Sequence, residues 1–141
     1  MATKIFINLP VKDLPRSIAF FTALGYTFNP QFTDETATCM IISEDIFAML
    51  VTEPKFLTFT KKGIADTAKT TEVLLAVSVE TREAVDDMIA KALAAGGTSA
   101  AEKQDHGFMY YGAFCDLDGH HWEIMWMNPD APMPENNTAN A

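Results

Sequence analysis

The chain has 141 residues, 48% of them hydrophobic, and its 19 Asp plus Glu against 10 Lys plus Arg give a formal charge of −9. That length and apolar content suit one compact unit needing neither disulfides nor metal as staples. The acidic balance, with no cluster of five or more Lys/Arg, argues against nucleic acid and anionic membrane as partners.

Cys39 and Cys115 stand outside any CxxC spacing and read as reduced core residues. The N-terminal MATKIFINLP lacks a secretory pattern and no window reaches the length of a membrane span, so a cytoplasmic protein is expected. Lys4 to Leu9 is short and β-rich, and reads as the first strand. Asp13 can accept the free amides of a helix start and Pro15 is tolerated in its first turn. Leu14, Ile18, Phe21 and Leu24 then recur at helical spacing until Gly25 stops the run. Tyr26 to Asn29 is a short strand ended by Pro30, and Ala37 to Ser43 and Ile46 to Thr52 form two more around the Ser43-Glu44-Asp45 turn. Residues 1–52 thus read as one β-α-β-β-β module.

Periodicity fades over 53–71, where Phe56, Leu57 and Phe59 are too apolar for a plain linker; the segment reads either as padding on a sheet flank or as a lid. Residues 72–128 then repeat the first order. Val73 to Val79 is a strand, and Thr81 opens a helix that uses Val85, Ile89 and Ala92 until Gly96-Gly97. A weak strand near Thr98 to Ala101 precedes Phe108 to Cys115 and His121 to Met127. Each module is too small to bury its own sheet, so the two are expected to pair, rolling their strands around a shared cleft in an α+β fold. The Pro- and Asn-rich stretch 129–141 has nothing to pack and is expected to be disordered.

The most polar chemistry in an apolar stretch follows Asp116-Leu117-Asp118-Gly119, whose turn residues predict a hairpin. Beyond it His121, Glu123, Met125 and Met127 alternate onto one face, and His120, Trp122, Ile124 and Trp126 onto the other. The second face is apolar apart from His120, and is expected to meet the core. The first presents a carboxylate and an imidazole two residues apart, which makes Glu123 and His121 the candidate catalytic pair if that face lines a cavity. A solvated Glu on an open sheet is the plainer alternative.

The opening NLPVKDLPRSIAFFTALGY and the closing DLDGHHWEIMWMNP resemble the vicinal oxygen chelate superfamily, which includes glyoxalase I, bleomycin-resistance proteins and extradiol dioxygenases. More narrowly, the chain is similar to bacterial predicted lactoylglutathione lyases, roughly from Thr3 to Pro129. The resemblance implies two paired βαβββ modules in a glyoxalase-like open barrel around a central cleft, a small-molecule ligand and a homodimer. In the superfamily's metal enzymes, His and Glu ligands sit on the first and last strands of each module. Those positions fall here on Phe6, Met49, Leu74 and Glu123, so Glu123 is the only retained ligand position.

Divalent metals need several N or O donors, and no cofactor is therefore expected. The alternative is one divalent metal ion on a non-standard set: His121 and Glu123, with His106 reaching in from Gln104-Asp105-His106-Gly107, or His120. Without metal, Phe6, Met49, Leu74 and Met125 would line an apolar cavity with Glu123 as its charge and Asn8 as an orienting partner. Tyr110 or Tyr111 would donate a hydroxyl, alternation placing only one of them inside. Two function classes follow. One is a bleomycin-resistance-like module binding a small, largely apolar ligand. The other is a metal-dependent lyase or isomerase of the lactoylglutathione-lyase kind, or an extradiol-type dioxygenase. A metal-free acid/base enzyme with Glu123 as proton carrier is a third reading.

Overall fold

The computed structural model describes residues 2–131; residues 132–141 of the tail whose disorder the sequence predicts lie outside the described residues. The first module runs β1 (Ile5–Val11), α1 (Leu14–Ala23), β2 (Thr27–Asn29), β3 (Ala37–Ser43) and β4 (Ile46–Thr52). After the short α2 (Glu53–Phe56), the second repeats that order with β5 (Leu74–Ser78), α3 (Arg82–Ala94), β6 (Thr98–Asp105), β7 (Met109–Cys115) and β8 (His121–Met127).

Each helix begins and ends for a local reason. The Asp13 side chain accepts the Arg16 amide at 3.1 Å, and Thr81 accepts the Ala84 amide at 3.0 Å, each satisfying an amide with no partner inside its helix. Gly25 (φ 104°) and Gly96 (φ 111°) follow the last turns in the left-handed conformation that releases the chain into its next strand. Gly97 has a different role. A Cβ there would stand 2.7 Å from the Cys115 carbonyl oxygen, 3.0 Å from that of Ala92 and 3.1 Å from the Phe20 ring, so α3, β7 and α1 meet at this residue because it has no side chain.

The strands form two four-stranded mixed sheets, ordered β1-β4-β3-β2 and β5-β8-β7-β6. In each, the first and last strands of the module pair in parallel and the other pairs are antiparallel. Among the described residues no ladder joins the two sheets, so they do not close into a single barrel. What unites the modules is α1. Phe21 meets the Trp122 ring edge-on at 5.4 Å and Phe20 lies 6.0 Å from Phe114, so the first module's helix packs on the second module's sheet. Leu9, Met40 and Leu50 join Phe114, Trp122, Ile124 and Val85 in one core cluster. Full burial of side chains such as Phe21 and Phe114 contributes roughly 2–3 kcal/mol each.

One element is longer than the sequence suggests. β6 extends from Thr98 to Asp105 rather than ending near Ala101. Its sequence TSAAEKQD hides it because it is an edge strand with mostly exposed side chains, and its pairing with β7 shifts register around Ala101. Asp105 therefore belongs to the strand, and only His106, Gly107 and Phe108 turn the chain toward β7.

Candidate functional site

The hairpin Asp116–Gly119 is more than a turn. The Asp116 carboxylate is buried and accepts the Trp122 indole N–H at 2.9 Å and the amides of Asp118 and His120 at 2.9 and 3.0 Å. Burial pushes this carboxyl above its ordinary range, while His120 and the three N–H donors pull it down. Asp118 reaches across to the first module, accepting the Lys12 amide at 2.8 Å and the Ser17 hydroxyl at 3.2 Å. The buried His120 sets its Nε2 2.7 Å from the Pro10 carbonyl oxygen. A carbonyl only accepts, so Nε2 carries the proton in this bond. The turn thus binds the end of β1 and the start of α1 to β8, and its carboxylates are spent on structure.

From this anchored start, β8 turns Trp122 and Ile124 into the core and leaves His121, Glu123 and Met125 on the other face. Glu123 stands between Ala76 of β5 and Ala113 of β7, two small residues that leave room around its carboxylate. His121 stands between Leu74 and Cys115. The His121 Nε2 lies 3.6 Å from Glu123 Oε2, with the side chains 18% and 28% exposed. That separation exceeds a hydrogen bond, and the nitrogen is buried with no hydrogen-bond partner among the described residues.

A cleft of about 410 Å³ opens beside this imidazole, between the modules. Its walls are the β1 segment Ile7–Pro10 and residues Gly119–His121. Its roof is the connecting segment, which contributes Phe56, Ile64, Ala65 and a row of threonines. A second, more polar hollow of about 280 Å³ lies beyond Pro10 and His120 and shares Ile64, Ala65 and Thr67 with the first. Of the apolar residues that raised the lid reading, Phe56 turns into the cleft, whereas Leu57 and Phe59 are exposed.

Of the residues singled out in the sequence, Asn8 and His121 line this cleft, and Glu123 lies one contact further along β8. Phe6, Met49, Leu74 and Met125 do not line it. Phe6 and Met49 share the open face of the first sheet with Asn8, and Phe6 stacks on Phe47 at 4.8 Å. Leu74 and Met125 share the open face of the second with Glu123. Phe6 and Leu74 remain 49% and 54% exposed, so within one chain these residues do not gather into the apolar cavity the sequence suggests.

Tyr110 requires a correction. It faces Trp126 on the helix-covered side, where its hydroxyl donates to Asp86 of α3 at 2.6 Å and the Arg82 guanidinium lies 4.2 Å above its ring. Tyr111, opposite Met125, is the tyrosine on the Glu123 face, stacked on His106 at 5.9 Å. The physical reason is the pairing with β8: Phe114 faces Trp122, and counting back in twos reaches Tyr110. Thr67, and any role of Asp116 beyond the turn, are not legible in the sequence. Asp116 looks like an ordinary turn former, because its indole partner is identified only by the folded hairpin.

The superfamily's usual metal does not fit these residues. Phe6, Met49 and Leu74 offer no hard donor, and among the described residues no three His, Cys, Asp or Glu side chains group closely enough to hold an ion. His120 is committed to Pro10, and His106, stacked on Tyr111, does not group with His121 and Glu123 among the described residues. Among the described residues no helix is long and apolar enough to cross a membrane.

Residues 3–43 match the family model of the bleomycin resistance protein-like N-terminal region. No curated protein matches the chain. Among solved structures, a hypothetical protein from S. aureus superposes with a TM-score of 0.75 at 29% identity, over 89% of this chain and 95% of that one. A glyoxalase/bleomycin resistance protein/dioxygenase family enzyme from Burkholderia phytofirmans PsJN gives 0.76 at 17% identity, over 89% and 99%. The fosfomycin resistance protein FosX from Listeria monocytogenes gives 0.64 at 17% identity, with 96% of each chain covered.

Proposed function

Starting from a bleomycin-resistance-like N-terminal segment set in the open, paired-module fold of the vicinal oxygen chelate superfamily, we propose that this chain binds a small, largely apolar molecule in its inter-module cleft without the superfamily's usual metal. The observation that carries the reading is His121. Its buried Nε2 has no hydrogen-bond partner among the described residues, its ring lines the cleft, and the Glu123 carboxylate stands 3.6 Å away. An unmet buried polar atom costs about 1–3 kcal/mol, and a polar group on a ligand would meet it. Phe56, Ile64 and Leu9 supply apolar lining for the body of such a molecule. Glu123, set between Ala76 and Ala113 beside His121, favours a ligand with a cationic or hydrogen-bond-donating end. The lyase and dioxygenase readings lack a donor set.

The exposed Phe6–Phe47 stack and Leu74 leave apolar sheet faces that a second copy of the chain would cover, and a homodimer is proposed. N-phenyl-1-naphthylamine, a neutral dye that fluoresces on entering apolar sites, tests the reading. One dye per chain is expected, in a particle whose mass by light scattering is that of two chains. Ala65→Trp, which fills the cleft, should weaken dye binding at least about tenfold. Glu123→Gln should leave the neutral dye nearly unaffected while weakening competition by an aryl quaternary ammonium roughly fivefold or more. Equal dye binding in wild type and Ala65→Trp would rule out the cleft as the site.

A further inference from the structure

The roof of the cleft is held far more lightly than its walls. Across residues 57–73 only Ile64, Ala65 and Thr67 are half-buried; every other residue is exposed. Residues 60–72 bond mostly to one another, through turns at Thr60 and Asp66. One hydrogen bond among the described residues joins that stretch to the rest of the chain: the Thr67 hydroxyl donates to the Asp118 carbonyl at 2.6 Å.

The receiving side is rigid by comparison. Asp118 is fixed to Lys12 and Ser17 through its carboxylate. Gly119 beside it has φ +82°, and a Cβ there would stand 2.6 Å from the Thr67 hydroxyl oxygen, so the glycine that makes the turn also makes room for the threonine. A segment with few buried contacts and one outward hydrogen bond sits at the low end of local opening free energies. Here that segment covers a cleft, and its one bond lands next to the two histidines that line it.

We propose that residues 60–72 are the gate of the inter-module cleft and that Thr67 is its latch, a positioning residue that sets how fast a molecule enters and leaves. The gate's role rests on the reading of the cleft as the ligand site; the latch stands on the contacts alone. Opening breaks the Thr67–Asp118 bond and swings the roof away while the turn, β1 and α1 stay joined. Removing one neutral hydrogen bond shifts such an equilibrium roughly three- to tenfold.

Trypsin under native conditions reads the opening directly, because Lys61, Lys62 and Lys69 all lie in the exposed roof. Thr67→Val, nearly the same shape without the hydroxyl, should be cleaved there roughly three to ten times faster than wild type. Thr67→Ser, which keeps the hydroxyl, should be cleaved at close to the wild-type rate. Bound N-phenyl-1-naphthylamine should slow cleavage, and in Thr67→Val its association and dissociation should both quicken with little change in affinity. Equal cleavage of wild type and Thr67→Val, or no rescue by Thr67→Ser, overturns the latch. Faster cleavage of Thr67→Val with no slowing by the dye in wild type leaves the latch standing and overturns the cleft as ligand site.

Discussion

Replacing Asp116 with alanine is expected to destabilise the fold by roughly 4 kcal/mol, since it leaves the Trp122 indole N–H and the amides of Asp118 and His120 without their acceptor in a buried setting. The effect should be large because the carboxylate fixes the turn from which both contacts to the first module depart. Asp118 holds Lys12 and Ser17 from that turn, and His120 holds Pro10. Denaturant unfolding of wild type and Asp116→Ala measures it, and a loss under about 1 kcal/mol would mean that the hairpin stands without the carboxylate.

The pH dependence of the same residue has a definite sign. Burial raises the folded-state pKa of Asp116, so the folded chain holds this proton more tightly than the unfolded chain. The contribution to stability is then fully present below the ordinary carboxylate pKa and is lost as pH rises through the folded value. The stability of wild type relative to Asp116→Asn should fall across that window.

A second large effect is expected at Gly97. An added methyl would press into the backbone oxygens of Cys115 and Ala92, which cannot rotate away, as well as into the Phe20 ring. Overpacking of this kind costs about 1–3 kcal/mol, and the rigid neighbours put Gly97→Ala near the top of that range. Thermal unfolding checks it against Gly63→Ala, where a Cβ meets nothing within 4 Å. Equal losses at the two positions would show that α3, β7 and α1 are not packed as closely at Gly97 as their positions require.

The elements were legible because their causes are local. The Asp13 and Thr81 caps, the Gly25 stop and the alternation from His121 to Met127 each follow from residues within one turn or one strand of each other. β6 was read short because an exposed edge strand has no apolar face to announce it. The union of the modules depends instead on long-range packing. Nothing local to Phe21 names Trp122 as its partner, and nothing in Thr67 points to the carbonyl of Asp118.

The same distinction divides the candidate site. Glu123 and His121 share a face because the strand alternates, and that was readable. The residues expected to close a cavity over them required knowing how two sheets face one another. In the fold those sheets stay separate, and the connecting segment rather than Phe6 or Leu74 roofs the cleft. Tyr110 went to the helix side because the register of β7 against β8 fixes it there, a choice between adjacent tyrosines that composition does not make.

Metal analysis of the protein as isolated, purified without a nickel column and compared with Glu123→Gln, decides between a metal-free binding cleft and a metal enzyme. Far less than one transition metal per chain is expected in both proteins, with dye binding retained. About one metal per chain in the wild type, lost in Glu123→Gln, would contradict the metal-free cleft and return the chain to the metal-dependent lyase or dioxygenase reading.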